Sequence, residues 1–295
     1  MTEPRTLTPA VLAEHPLPSA EGATSKHDRG TVLAVGGDVE TPGALLLAGT
    51  AALRAGAGRL QLAVAAPVAP ILAVAVPEAR VLGLALGDGG GLATPGDALL
   101  EAMAEAEAVL VGSGVCETDD AEVLLAAAIE ALAETDGRLV VDARALDRLG
   151  EAPDRLGPLA ARTVAIPNPG EAASVLGGSP DDVESDPEAA LEALVGRLGC
   201  TVALRGSTTL IGGPEVAVHV ERSGPIGLAT SGSGDVLAGL LAGYLARGAS
   251  PLDATLWAVH VHATAGRRCG AAHGPLGYLA REVVDALLGA HGEVS

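Results

Sequence analysis

The stretch GLATSGSGDVLAG, residues 227–239, places one carboxylate, Asp235, in a glycine turn that leads directly into an apolar helical pattern. Glycines before a helix leave several backbone N–H groups exposed at its positive end, and such an end binds anions such as phosphate. A carboxylate beside a bound phosphate can take the proton from a hydroxyl group that attacks it. The stretch therefore indicates phosphoryl transfer with Asp235 as the base, and capping of the helix by Asp235 is the alternative.

Short apolar strands alternate with helical patterns on both sides of this turn. Such alternation is typical of an α/β fold with a mostly parallel central sheet and helices on both of its faces. Closely spaced strands at 200–220 indicate an antiparallel edge. The predicted strands are 31–37, 59–65, 106–114, 138–143, 162–171, 200–206, 208–213 and 215–220, the predicted helices are 43–58, 121–134, 188–198, 234–247, 251–269 and 276–289, and the predicted surface loops are 150–158 and 178–188.

Several chemically distinctive residues follow the predicted strands directly. They are the glycine turns at 36–37, 112–114 and 206, the acid Asp142 and the Pro-Asn-Pro-Gly-Glu turn at 167–171. Because ligands of parallel sheets bind at the carboxyl ends of the strands, these residues predict a single site. The chain has neither a P-loop motif nor the dinucleotide fingerprint after its first strand, so the glycine turn indicates a different phosphate-binding fold.

Composition excludes several classes of function. The chain has 295 residues, and its 18 basic and 37 acidic side chains give a net charge of −19. A chain this acidic repels nucleic acids and anionic membranes, so neither is an expected partner. No apolar run is long enough for a transmembrane helix, and the first residues lack the apolar core of a signal peptide. The three cysteines are far apart, which favours reduced thiols in a cytoplasmic protein over a metal site or disulfides.

The motifs taken together resemble the ADP/ATP-dependent NAD(P)H-hydrate dehydratases of the ribokinase-like superfamily. GSGDVLAGLLAG (232–243) is similar to the GTGD-VLAG signature of that family. The similarity covers about residues 24–290. Other matching segments are KHDRGTVLAVGG (26–37), TPGALLLAGTAALRAGAGRLQLA (41–63), VGSG (111–114), VVDARAL (140–146), IPNPGEAASVLG (166–177), LRGSTTLI (204–211) and GPLGYLAREVVDALL (274–288).

The resemblance implies a repair enzyme. Such an enzyme removes water from the S-epimer of hydrated NADH or NADPH, using ADP or ATP and Mg²⁺. The ring hydroxyl is phosphorylated and the phosphate is then eliminated, because phosphate is a better leaving group than hydroxide. The resemblance also implies a single ribokinase-like dehydratase domain at 24–295 after an N-terminal extension at 1–23, and assembly into a homotetramer.

The resemblance carries over to individual residues. It implies Asp235 as the catalytic base. Glu171 is a candidate magnesium ligand through water, because its N-x-x-E element resembles the metal element of ribokinase-like kinases. The residues implied to bind the hydrated cofactor are Ala44, Gly112, Gly114, Asn168 and Asp235, and those implied to bind the nucleotide are Arg205, Gly206, Ser207, Thr208, Thr209, Gly232 and Gly234.

Two positions depart from the family pattern. Arg205 stands where the family has Lys, which keeps the charge and changes the geometry of the donor group. Asn168 stands where the family has His, and with Glu171 it forms an N-x-x-E element that resembles the metal and phosphate element of sugar and vitamin kinases. A ribokinase-like small-molecule kinase is therefore the alternative function.

Some candidate residues also have simpler interpretations. Asp142 and Glu171 are each suited to capping the helix that follows them. His260 and His262 are two residues apart on a predicted helix and therefore face different directions, so we expect structural or surface roles. His273 is predicted to lie in a solvated loop.

Overall fold

The computed structural model describes residues 4–19, 22, 24–87, 92, 93 and 95–294. Over these residues the strands form one ten-stranded sheet. The strands are β1 (Arg5–Thr6), β2 (Thr31–Val35), β3 (Arg59–Ala65), β4 (Ala79–Leu84), β5 (Ala108–Val111), β6 (Arg138–Val141), β7 (Thr163–Ala165), β8 (Thr201–Leu204), β9 (Thr209–Gly212) and β10 (His219–Glu221). The helices are α1 (Pro9–Ala13), α2 (Gly43–Arg54), α3 (Ala69–Ala75), α4 (Asp97–Ala104), α5 (Thr118–Leu132), α6 (Arg144–Glu151), α7 (Pro169–Leu176), α8 (Pro180–Ser185), α9 (Pro187–Leu198), α10 (Ser233–Ala246), α11 (Pro251–His273) and α12 (Ala280–Val294).

The sheet is parallel except at one strand. Its order is β1-β10-β9-β8-β7-β6-β5-β2-β3-β4, and β9 runs antiparallel to both β8 and β10. The other pairings are parallel. The predicted fold class, a mostly parallel sheet with an antiparallel part towards one edge, is therefore confirmed.

The central strands are buried on both faces, which explains why their sequences are continuously apolar. In β2, Val32 and Ala34 belong to one hydrophobic cluster, and Leu33 and Val35 belong to a second cluster. Residues of α2, α10 and α11 complete the first cluster, and residues of α4, α5 and α9 complete the second. Helices therefore cover both faces of the sheet.

Small residues fix the position of α10 against α2. A Cβ atom at Gly239 would overlap the carbonyl oxygen of Ala48, and one at Gly243 would come within 2.6 Å of the carbonyl oxygen of Ala52. Larger side chains would push the two helices apart. This close packing holds the N-terminal end of α10, which carries Asp235, over the carboxyl ends of the central strands.

The N-terminal segment packs on the same sheet. β1 pairs in parallel with β10, and Leu7 and Leu12 are buried in the first cluster. The indole Nε1 of Trp257 donates a hydrogen bond to the carbonyl oxygen of His15 at 2.7 Å. The division of the chain after residue 23 stays a prediction, and residues on its N-terminal side contribute a strand and a helix to the fold.

Several secondary-structure predictions were wrong. The stretch predicted as a loop at 178–188 contains α8 and the start of α9, and much of 150–158 lies in α6 and a 3-10 helix at Pro153–Arg162. His273 is the last residue of α11 rather than part of a loop. The strand predicted at 215–220 is shorter and later, at His219–Glu221. Prolines and acids misled the prediction because they also begin helices, as they do in α8.

Candidate active site

The predicted site residues gather at the carboxyl ends of the parallel strands. Gly112 and Gly114 follow β5, and Asp142 follows β6. Asn168 follows β7 by three residues, and Arg205 follows β8 directly. α10 packs against β5 and β6, and Gly234 in its first turn lies against Arg205 at the end of β8. The structure thus brings together residues that lie far apart in the sequence.

Asp235 lies in the first turn of α10 and is largely buried. The residue before the helix, Gly232, has a φ of 87° and no side chain with which to cap it. In the described residues no side-chain hydrogen bond caps α10, so the capping alternative for Asp235 is not observed. The Ser233 N–H donates to the Thr230 carbonyl oxygen at 3.2 Å. The backbone N–H groups of Gly234 and Asp235 make no backbone hydrogen bond among the described residues and remain available for an anion.

The surroundings of Asp235 favour its protonated form more than water does. Burial raises the pKa of Asp235 from an ordinary value of 3.8 to about 6, and the nearby charge of Asp142 acts in the same direction. The Ser113 hydroxyl and the Arg205 guanidinium partly offset this rise in pKa. A carboxyl group with a pKa of about 6 is suited to general base catalysis near neutral pH.

The turn after β5 needs glycine at two positions. Gly112 has a φ of 117°, and a Cβ atom there would overlap the carbonyl oxygen of Asp142. Gly114 has a φ of 69°, and its Cβ atom would lie 2.8 Å from the Cβ atom of Ala44. The turn therefore packs closely on the start of α2, and it presents the buried Ser113 towards Asp235. Ala44, Gly112 and Gly114 are brought together, as predicted.

Arg205 links two carboxylates of the site. Its Nη2 donates to Asp142 Oδ1 at 3.2 Å and to Glu171 Oε2 at 3.0 Å. A Cβ atom at Gly234 would overlap Arg205 Nη1, so the guanidinium lies directly against the first turn of α10. Arg205 thus places a positive charge between two acids and beside the predicted phosphate position.

The rest of the predicted nucleotide segment forms the connection between β8 and β9. Gly206 and Ser207 are exposed there, Thr208 is partly exposed, and Thr209 begins β9. Of this segment, Arg205 lies against Gly234 in the first turn of α10. The nucleotide role of the rest of the segment stays a prediction.

Asn168 and Glu171 form a capping box at the start of α7. The Asn168 side chain accepts a hydrogen bond from the Glu171 backbone N–H at 2.9 Å, and the Glu171 carboxylate accepts one from the Asn168 backbone N–H at 2.8 Å. The capping alternative is therefore observed for Glu171, whereas Asp142 makes no cap for α6. Burial raises the pKa of Glu171, and the charge of Arg205 opposes that rise. The N-x-x-E element thus has a structural role that accounts for it without a kinase.

His262 is a site residue that the sequence analysis missed. Its Nε2 lies 3.1 Å from Ser233 Oγ, at the start of α10. Burial, together with the charge of Arg205, lowers the pKa of His262 to about 4, so its ring is neutral near neutral pH. His260 faces away from this site and pairs with the buried Glu221. The two-residue spacing correctly separated the two rings, but it gave no sign that one of them faces the glycine turn.

The described residues lack both a clustered metal site and a membrane-spanning helix. They contain no cluster of three or more His, Cys, Asp or Glu side chains arranged to hold a metal ion. They also contain no helix that is long and apolar enough to cross a bilayer.

Comparison with known proteins decides the family. The family model described as NAD(P)H-hydrate dehydratase matches residues 32–288. This chain belongs to the NAD(P)H-hydrate dehydratase family. Membership confirms the family and the function that the sequence predicted, the dehydration of hydrated NAD(P)H by a lyase.

Individual relatives agree with this assignment to the dehydratase family. The chain is 44% identical over 285 residues to an ADP-dependent (S)-NAD(P)H-hydrate dehydratase from Xanthomonas campestris, and the alignment covers 96% of this chain and 95% of the relative. Its fold is similar to that of a ribokinase-like superfamily protein from Enterococcus faecalis, with a TM-score of 0.85, 22% identity, and coverage of 100% of this chain and 98% of that one. It is also similar to the ADP/ATP-dependent NAD(P)H-hydrate dehydratase from Bacillus subtilis, with a TM-score of 0.81, 23% identity and full coverage of both chains. The ribokinase-like fold is thereby confirmed.

Proposed function

We propose that this chain dehydrates the S-epimer of hydrated NADH and NADPH with ADP or ATP as co-substrate, and that Asp235 is its catalytic base. The observation that carries the proposal is the Asp235 carboxylate, which lies in the open first turn of α10 and has a pKa raised to about 6. The relative from Xanthomonas campestris, which matches nearly the whole chain, is named for the ADP-dependent reaction. The curated name supports ADP for this chain, and the solved relative from Bacillus subtilis supports either nucleotide.

The chemistry follows from the position of the carboxylate. Asp235 takes the proton from the hydroxyl group of the hydrated ring, and the hydroxyl oxygen attacks the terminal phosphate of the nucleotide. The bond between that phosphate and the rest of the nucleotide breaks. The lone pair of the ring nitrogen then expels phosphate from the ring carbon, and loss of a proton from the adjacent carbon restores the double bond. The first turn of α10 and Arg205 stabilise the negative charge of the phosphate while it is transferred.

Mg²⁺ fits this site only as an ion held chiefly by the nucleotide. Asp142 and Glu171 offer the oxygen donors that Mg²⁺ prefers, but Arg205 already bridges them. Mg²⁺ commonly uses one or two carboxylates together with substrate phosphates, and we propose that Glu171 contacts it through water. Bound there, the ion would neutralise phosphate charge.

We assign the two sides of the site to different ligands. The hydrated ring contacts Ala44, Gly112, Gly114 and Asn168, and the nucleotide contacts the segment from Arg205 to Thr209 together with Gly232 and Gly234. A pocket of about 420 Å³, whose lining includes Val115, Asn168 and Glu171, adjoins the ring side. It offers room for more of the dinucleotide than its reacting ring.

We also propose that the chain works in the cytoplasm as a homotetramer. The cysteines of the described residues are free thiols, as expected in a reducing compartment. On α3, Ile71 and Val74 are 71% and 81% exposed, and a subunit contact would remove such apolar side chains from water. Light scattering of the purified protein measures the assembly directly.

One experiment separates dehydratase from kinase. The protein is incubated with hydrated NADH and either ADP or ATP, and the absorbance of the restored nicotinamide is followed. Recovery of NADH with release of inorganic phosphate supports the proposal. No recovery of NADH, together with a stable phosphorylated product when ATP is incubated with a sugar or vitamin in a parallel reaction, would establish the kinase instead.

A further inference from the structure

The glycine turn before α10 is held locally by backbone hydrogen bonds alone, from the Ser233 N–H to Thr230 O and from the Val236 N–H to Gly232 O, both at 3.2 Å. Ser233 lies between Gly232 and Gly234, and glycine permits more backbone conformations than any other residue. Gly232 offers no side-chain cap to the helix. A site that stabilises a transferring phosphate works best when its donors are fixed before the phosphate arrives. A side-chain contact from elsewhere in the fold would therefore fix the turn more firmly than these backbone bonds do alone.

His262 is positioned to provide that contact. Its side chain is 8% exposed and lies on α11, which packs against α10. His262 Nε2 lies 3.1 Å from Ser233 Oγ, within hydrogen-bond distance, and the Ser233 backbone also interacts with the ring. Ser233 is itself buried, so water does not compete for the bond. Because α11 is a long helix in the core, the ring provides a rigid reference point for the turn.

The neutral state of the ring matters for this role. Burial and the neighbouring charge of Arg205 keep the pKa of His262 near 4. A neutral imidazole both donates and accepts hydrogen bonds, so it can hold the Ser233 hydroxyl in either tautomer. It also leaves Arg205 as the cation that meets the phosphate.

We propose that His262 is a positioning residue that acts through Ser233, holding the first turn of α10 in the conformation that receives the nucleotide phosphate. This inference rests on the proposed function, since it assumes that the turn binds a nucleotide. It does not place His262 in contact with the hydrated cofactor. Removing the contact should therefore weaken nucleotide binding and leave binding of the hydrate largely unchanged.

A double-mutant cycle tests the inference. His262→Leu removes the hydrogen bond and keeps an apolar group of similar size, and Ser233→Ala removes the same bond from its other end. We expect each variant to raise the Kd for ADP, measured by calorimetry, by about 2- to 12-fold, the value of one neutral hydrogen bond. The double variant should bind ADP no more weakly than the single variants, because both remove one interaction. His262→Gln, which keeps a polar group near the position of Nε2, should recover most of the affinity.

The outcomes separate the inference from the proposed function. Calorimetry of ADP does not depend on turnover, so the cycle remains informative even for a protein that fails to restore NADH. An unchanged Kd for ADP in Ser233→Ala, a small change at a helix terminus, would overturn the inference. Additive losses in the double variant would do the same, since His262 would then act by a route other than Ser233. A rise in the KM for the hydrate with an unchanged KM for ADP would also contradict it.

Discussion

Replacement of the catalytic carboxylate should make this protein inactive and more stable at the same time. Asp235→Asn keeps the shape of the side chain and removes its charge. We expect turnover to fall by about 10²- to 10⁴-fold, the usual contribution of a general base. No ion pair of the described residues involves Asp235, so the fold loses no charged partner when Asn replaces it. The change in stability follows from the raised pKa of Asp235.

The magnitude of the stability change can be worked out from the structure. The pKa of Asp235 is about 6 in the folded chain and close to the ordinary value of 3.8 in the unfolded one. This difference of roughly two pKa units corresponds to about 3 kcal/mol as an upper bound. Because the folded-state pKa is raised, the stability that protonated Asp235 contributes is fully present below pH 3.8 and is lost as the pH rises to about 6. Asn never ionises, so the variant keeps that stability at neutral pH.

Denaturation by urea across this pH range measures the effect. The free energy of unfolding of Asp235→Asn should exceed that of the wild type by about 1–3 kcal/mol at pH 7, and the two curves should converge towards pH 4. Asp285→Asn, the same chemical change on the exposed surface of α12, is the matched control and should alter neither stability nor turnover. A variant that is less stable than the wild type at pH 7, or one with near-normal turnover, would refute the reasoning.

Three further predictions follow from the same site. In the free enzyme kcat/KM for the hydrate should fall as the pH drops through about 6, because Asp235 must be ionised to accept a proton. Asp142→Asn removes a neighbouring negative charge and should therefore move this fall in kcat/KM to lower pH. An unchanged pH profile would mean that Asp142 does not affect the pKa of Asp235. Gly234→Val should abolish ADP binding in calorimetry, because even its Cβ atom would overlap Arg205 Nη1, and unchanged affinity would contradict the proposed phosphate position. Asn168→His should lower the free energy of unfolding by about 0.5–2 kcal/mol, because the α7 cap is lost. Its main effect on the reaction should be a changed KM for the hydrate. A collapse of turnover with a strongly raised Mg²⁺ requirement would show instead that Asn168 helps to bind the metal.

Local sequence signals were sufficient where chemistry and conformation coincide in one short stretch. GSGD at 232–235 contains the turn, the start of the helix and the acid within four residues. Adjacent residues therefore predict both the conformation and the phosphate chemistry. The turns after β5 and β7 were predictable for the same reason. The order of strands and helices was likewise visible, because apolar periodicity is a local property. The distinctive residues at the ends of several strands together predicted that the site lies at the carboxyl ends of the strands.

The partners of each charged group were not predictable. Arg205 bridges Asp142 and Glu171, which are 63 and 34 residues away in the sequence, and no periodic pattern relates positions so far apart. Glu171 is suited by sequence to cap a helix or to hold a metal, and only the contacts of one carboxylate oxygen, Oε2, show that it caps α7 and accepts from Arg205. The sequence therefore left both interpretations open.

The sequence by itself determined the α/β fold class, the glycine turn with Asp235 and the family to which the chain is similar, because each depends on residues that are neighbours along the chain. Only the tertiary structure decided that Asp235 has a pKa of about 6, that His262 and not His260 faces the turn, and that β1 and α1 join the sheet. A pKa depends on burial and on charges brought near by folding, and the choice between two histidines depends on which face of α11 meets α10. These properties arise from distances in space, which the order of residues does not state.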